Sequence, residues 1–375
     1  MTQDLRSPGA FGRRLPGVRP GDHQETGQPG SGRLEADRLE ADQLEADQLE
    51  TLVQLPSMRC ADAARLRGEP LAASAVRYRR FLLLEVPGPW GSSGLEECGM
   101  DADVAWQLTA RAAAADIHVV LIRRPGRRPP AGSGDGPTAW AWAIADTSPE
   151  AERVLWGSWR VPADLLGLTL DAPIPDGCAA TGPQRLALVC TNGKRDQCCA
   201  IRGRPVAAAI SAGTDWDTWE CSHLGGHRFA ATIQLLPSGD MFGWLEPESA
   251  LEVLQRFDAG QIVLSHYRGR CGQPVAVQAA LHIAAVRLGD FRRGAVRVSS
   301  LRPLVTGAGT GWPGDSSGAE DGWEAEITHR SQSSQETAYR MTMTRCQLAP
   351  TYLSCSDDKP KAEIRYDATT FTRIR

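Results

Sequence analysis

Apolar positions along this chain fall in short runs separated by polar or Gly/Pro-rich stretches, the pattern of an α/β protein. Arg77–Val86 (RYRRFLLLEV) reads as a strand ended by Pro87-Gly88-Pro89. Asp101–Asp116 is Ala-rich and helix-like, and Ile117–Arg123 (IHVVLIR) reads as the next strand. Past a Gly/Pro loop at Pro125–Pro137, Thr138–Ala145 and Arg153–Trp159 alternate tryptophans with small or apolar residues at strand spacing. Val161–Leu168 opens a short helix, with Pro162 near its first turn.

A second unit repeats this order. Arg185–Cys190 (RLALVC) is a strand, Thr191–Cys199 a polar loop and Ala200–Ala212 a helix. Phe229–Leu236 and Met241–Leu245 form a hairpin around Pro237–Asp240. Helices come next at Pro247–Phe257 and Pro274–Leu288. Beyond a Gly/Ser linker, Trp323–His329, Thr337–Arg345 and Ala362–Thr370 have the look of an antiparallel sheet. The organisation expected is a tail over 1–55, an N-terminal α/β unit over 56–180, a second α/β unit over 181–306, a linker over 307–322 and a β-rich C-terminal extension over 323–375.

The tail is rich in Gly, Pro, Gln and charge. Its five-residue repeat (RLEAD, RLEAD, QLEAD, QLET) sets Leu34, Leu39, Leu44 and Leu49 roughly 140° apart around a helix. Those leucines circulate and make no stripe, so disorder is the expectation. A net charge of −4 over 375 residues gives no basic field for nucleic acid. No run approaches ~18 apolar residues, so no membrane span is expected. The first residues lack the apolar core of a secretory signal, so a cytoplasmic address is expected. In a reducing compartment, ten cysteines point to metal or redox chemistry before a disulfide framework.

Four of those cysteines and two of the seven histidines lie between 190 and 227. Cys190-Thr-Asn-Gly-Lys-Arg-Asp-Gln-Cys198-Cys199 comes directly after an apolar strand; Cys221-Ser-His223-Leu-Gly-Gly-His227 comes next. Thiolates and imidazoles gathered in loops suit a transition-metal or iron–sulfur site. Histidines four apart would share a helix face, but Gly225-Gly226 disfavours helix by about 1 kcal/mol each. The glycines suit a loop that packs tightly, and no HExxH glutamate is present. Cys60, Cys98, Cys178, Cys271, Cys346 and Cys355 are scattered without ligand spacing and read as structural.

The runs CTNGKRDQCCAIRGRP and WECSHLGGHRFAATIQLLPSGDMFGWLEPESA, with Cys60-Ala-Asp-Ala-Ala-Arg and LLLEVPGPWG upstream, resemble the sucrase/ferredoxin-like family. The resemblance spans about residues 58–375. It implies a thioredoxin-like ferredoxin domain in the second unit and a 2Fe–2S cluster held by Cys190, Cys199, His223 and His227. It implies an electron carrier working with a redox partner protein that the sequence does not identify. Two imidazoles in place of two thiolates leave a cluster less negative. Its potential should lie nearer the about −150 to +300 mV of two-histidine centres than the about −400 mV of plant-type ones.

The residues leave alternatives open. Cys198 or Cys221 could replace a ligand, and the same Cys2His2 set could hold zinc in an interaction module. Cys198 and Cys199 could serve a thiol oxidoreductase, although no C-x-x-C occurs. Lys194, Arg195, Arg202, Arg204 and Arg228 are expected near the site. Sugar cleavage needs two carboxyl groups flanking a pocket, and nothing marks Asp240, Glu246 or Glu248 as such a pair. The first unit, similar in element order, reads as a related half without ligands.

Overall fold

The computed structural model describes residues 58–126, 139–174, 182–304 and 322–374. The repeat-bearing tail over 1–55, Cys178 and most of the Gly/Ser linker lie outside the described residues.

A short helix α1 (Cys60–Leu66) leads into strand β1 (Arg80–Glu85), helix α2 (Ala102–Ala114) and strands β2 (Ile117–Arg123), β3 (Trp140–Asp146) and β4 (Arg153–Trp159). A 3₁₀ turn at Pro162–Gly167 closes this half. The second half runs β5 (Leu186–Cys190), α3 (Gln197–Gly213), β6 (Asp217–Cys221), β7 (Ile233–Leu236), β8 (Asp240–Phe242) and α4 (Pro247–Asp258). Strand β9 (Tyr267–Arg270) and helix α5 (Val275–Leu288) lead to β10 (Val296–Leu304), β11 (Gly322–Arg330), β12 (Glu336–Gln347) and β13 (Ile364–Arg373).

One nine-stranded mixed sheet holds both halves, in the order β4-β3-β1-β2-β6-β5-β7-β8-β9. In each half the first two strands are parallel and the third and fourth are added antiparallel, so the topologies are the same. The halves meet at the antiparallel pair β2–β6, with Ile122 opposite Cys221 and Arg123 opposite Glu220. Strand β1 explains why such a sheet forms. Phe81 and Leu83 join the core on one face, Leu82 and Leu84 the core on the other, and all four are buried. A strand covered on both faces needs an unbroken apolar run.

A separate four-stranded antiparallel sheet, β10-β11-β12-β13, packs against the small-residue face of α5. This extension starts earlier than the composition suggested, because Val296–Leu304 pairs with Gly322–Arg330. Three strands are not apparent in the sequence pattern: β6, β9 and β10. Each carries charged or Gly residues that blur alternation, and each pairs with partners distant in sequence. Among the described residues no helix is long and apolar enough to cross a membrane.

Candidate metal centre

Strand β5 is buried along its whole length and delivers Cys190 to its C-terminal end. Helix α3 comes close enough there that a Cβ at Gly203 would sit 2.1 Å from the Cys190 carbonyl oxygen. Only glycine allows that approach. The intervening loop ends at Asp196, whose carboxylate accepts from the Cys198 amide at 2.9 Å and so caps α3. The cap makes Cys198 and Cys199 the second and third residues of the helix. They stand about 100° apart around its axis and face different neighbours. At a helix N-terminus both feel a field that favours thiolate.

The second loop begins where β6 ends. Ser222 is fastened to β2, its amide donating to the Leu121 carbonyl at 2.9 Å and its hydroxyl accepting from the Leu121 amide at 3.0 Å. Gly225 and Gly226 then turn the chain with φ of 72° and 73°. An added Cβ at Gly226 would lie 2.5 Å from Arg268 Nη2. Arg268, almost fully buried, donates to the Gly225 carbonyl at 2.9 Å and to the Ser74 carbonyl at 2.6 Å. The paired glycines therefore serve the tight turn expected of them, and no helix joins the histidines.

These two loops converge. Cys199 Sγ lies 3.5 Å from His227 Nδ1, and the rings of His223 and His227 stack with centroids 4.6 Å apart. Cys190 is held well below the usual thiol range, first by its hydrogen bond with Cys199, against burial, and then by His223 and His227. Its partner Cys199 is pushed well above that range by the same bond and by burial. Burial, with the neighbouring His223, drives His227 down to about 4, which keeps its ring neutral. His223 Nδ1 is buried without a hydrogen-bond partner.

A sequence model described as sucrase/ferredoxin-like matches residues 71–269, more than half of the chain. The protein belongs to the sucrase/ferredoxin-like family. No curated protein and no solved structure matched.

In this sucrase/ferredoxin-like chain the four residues singled out from the sequence fit a metal cluster. Two buried thiols in contact, the His227 imidazole and a buried His223 ring nitrogen lacking a partner are donor types that suit such a group. The adjacent cysteines are resolved by helix geometry: Cys199 faces His227, whereas Cys198 packs with Cys60 and Ala230 away from it. Cys221 lies beside Cys190 in register, fully buried, its thiol pushed well above the usual range by burial and by Cys190.

Of the cations expected near the site, Arg228 is buried and pairs with Glu69 at 2.7 Å and Glu363 at 2.8 Å. Arg202 is engaged by Asp62 and Glu246. Sequence reasoning missed Arg268, which burial pushes down to about 9 with Arg228 adding to the push, while the Cys190 and Cys199 charges oppose it. It sits in a strand the sequence did not reveal. His118 packs beside the site. It stacks on Tyr78, centroids 4.7 Å apart, hydrogen-bonds to the backbone of His223, and burial keeps it neutral. Tyr78, His118, Asn192, Arg195 and His223 line one cleft of about 530 Å³.

Proposed function

We propose that this protein is a one-electron carrier whose 2Fe–2S cluster is held by Cys190, Cys199, His223 and His227. The observation that carries the reading is the meeting of Cys199 with His227 at 3.5 Å beside the stacked His223 ring. Such a cluster, when bound, stores and releases a single electron without covalent change in the chain. The chain's part is electrostatic and geometric. The helix N-terminus and Arg268 favour negative charge at the thiolates, and imidazoles bound to a metal as neutral ligands add none. Gly225, Gly226 and Gly203 let backbone close around the site, and the cleft beside His223 leaves an edge where a partner protein can approach.

A single zinc ion on the same residues is the rival reading, since Cys2His2 is also a zinc set; colour and acid-labile sulfide separate the two, because zinc brings neither.

The test is anaerobic purification with iron and sulfide quantified, joined to visible and electron-paramagnetic spectra. Equal iron and acid-labile sulfide with a reducible chromophore is the expected result; a colourless zinc protein would end the proposal. His223→Cys and His227→Cys should keep a cluster with shifted spectra. The potential should fall as pH rises, because a ligating imidazole becomes a stronger acid when the iron is oxidised. A flat response between roughly pH 6 and 10 would count against histidine ligation.

A further inference from the structure

Three cysteines far apart in sequence meet on the other side of the first turn of α3. Cys198 Sγ lies 3.6 Å from Cys60 Sγ and 3.6 Å from Cys355 Sγ. The Asp196 carboxylate stands 3.6 and 3.7 Å from Cys60 Sγ, and one donor atom from each of the four residues falls within 4.8 Å of every other. A tetrahedron with bonds of about 2.3 Å to sulfur has edges of about 3.8 Å. The spacing is therefore that of donors around one ion. Thiols in plain contact could sit as close, so distance alone does not decide the matter.

The donor types add to the spacing, since thiols and a carboxylate are ligands zinc takes. Asp196 is 3% exposed. Its oxygens take the Cys198 amide, the Cys355 amide at 2.9 Å and the Ser354 hydroxyl at 2.8 Å, all neutral donors. These bonds fix the carboxylate beside the Cys60 thiol, as hydrogen bonds orient a ligating carboxylate. The Cys60 amide also points at Cys355 Sγ from 3.4 Å, the kind of N–H···S contact that supports a thiolate.

We infer that Cys60, Cys198, Cys355 and Asp196 form a second, structural site for one zinc ion. With four protein donors the site is closed, so the ion has no open position for a reacting ligand, and zinc has no redox chemistry of its own. Binding releases the thiol protons to solvent. The ion joins three parts of the chain: α1, the cap of α3, and the 348–363 loop that also supplies Glu363 to Arg228. It holds the first turn of α3 from behind, on the side opposite Cys199.

The test is metal analysis of the purified full chain, counting zinc and iron separately. About one zinc per chain is expected. It should be lost in Cys60→Ser and Cys355→Ser, both of which keep their iron and visible spectrum, and retained in Cys346→Ser. Should a serine variant fold poorly, the unmutated chain gives a second readout. Removing zinc with a chelator should speed trypsin cleavage at Lys361 several-fold. Absence of zinc, zinc that departs with Cys190→Ser and not Cys355→Ser, iron in its place, or a disulfide among the three cysteines would each overturn the inference. Because zinc and iron are read independently, loss of the electron-carrier reading would leave this one standing, and the reverse.

Discussion

The two halves of the large sheet share strand order and strand direction, and both cap the helix after their first strand with an aspartate. Asp101 accepts from the Asp103 and Val104 amides at 3.1 Å; Asp196 does the same for the Cys198 amide. Beyond the caps the two halves part. Positions two and three after Asp101 are Asp103 and Val104, and after Asp196 they are Cys198 and Cys199. Strand β1 ends in Glu85, which accepts from the Ala141 amide at 3.0 Å, where β5 ends in Cys190. A single frame thus carries two different sets of side chains at the same strand end and helix turn.

The half without ligands still shapes the site. Through Leu121 it holds Ser222, and its Gly91 carbonyl accepts from Asn192 Nδ2 at 2.9 Å. Arg123 pairs with buried Glu220 at 2.6 Å across the junction, and Thr191 Oγ1 donates to the same carboxylate at 3.1 Å. Removing either partner of such a pair costs about 3–5 kcal/mol, since the other is left charged and buried.

Substitutions at matched positions would break or sharpen this contrast. The largest effect expected is loss of iron and colour to background in Cys199→Ser, with no change in iron content for Val104→Ser. Next is acid stability of the metal-free chain. Burial depresses the folded His227 to about 4, against an unfolded value near 6.5. Between those values the unfolded chain binds a proton that the folded chain refuses, so stability declines as pH falls. The decline should reach up to about 3 kcal/mol, and His227→Gln should flatten it. His118, depressed by burial in the other half, should leave a residual slope. Urea titrations from pH 7 to 4 would measure both.

Asp196→Ala should cost about 2–3 kcal/mol, as it loses the cap together with the bonds from Ser354 and Cys355. Exposed Asp101→Ala should cost about 1 kcal/mol. Equal losses in denaturant titrations would show that the second cap carries nothing extra. The smallest difference concerns turns after β2 and β6. Gly126 has φ of 69° and open space around it, so Gly126→Ala should cost about 1 kcal/mol. Gly226→Ala carries the same backbone penalty plus the collision with Arg268, for about 2 kcal/mol or more.

Much of this was legible in the chain. Apolar runs marked β1, β2 and β5, and the Ala-rich segment after Asp101 marked α2, because burial on both faces or along one stripe leaves a local imprint. The family and the four candidate ligands were readable from two short motifs, since each of the two loops carries a pair of donors a few residues apart. Other features needed three dimensions. Whether Cys198 or Cys199 faces the histidines depends on where α3 begins, and the helix starts three residues before the apolar pattern does. Cys60 and Cys355 are 295 residues apart, and spacing cannot show such a meeting. Arg268 looks like surface until the chain folds around it. Local periodicity records how each segment meets water or core; only the packed sheet determines which distant polar groups are buried together and must answer one another's charge.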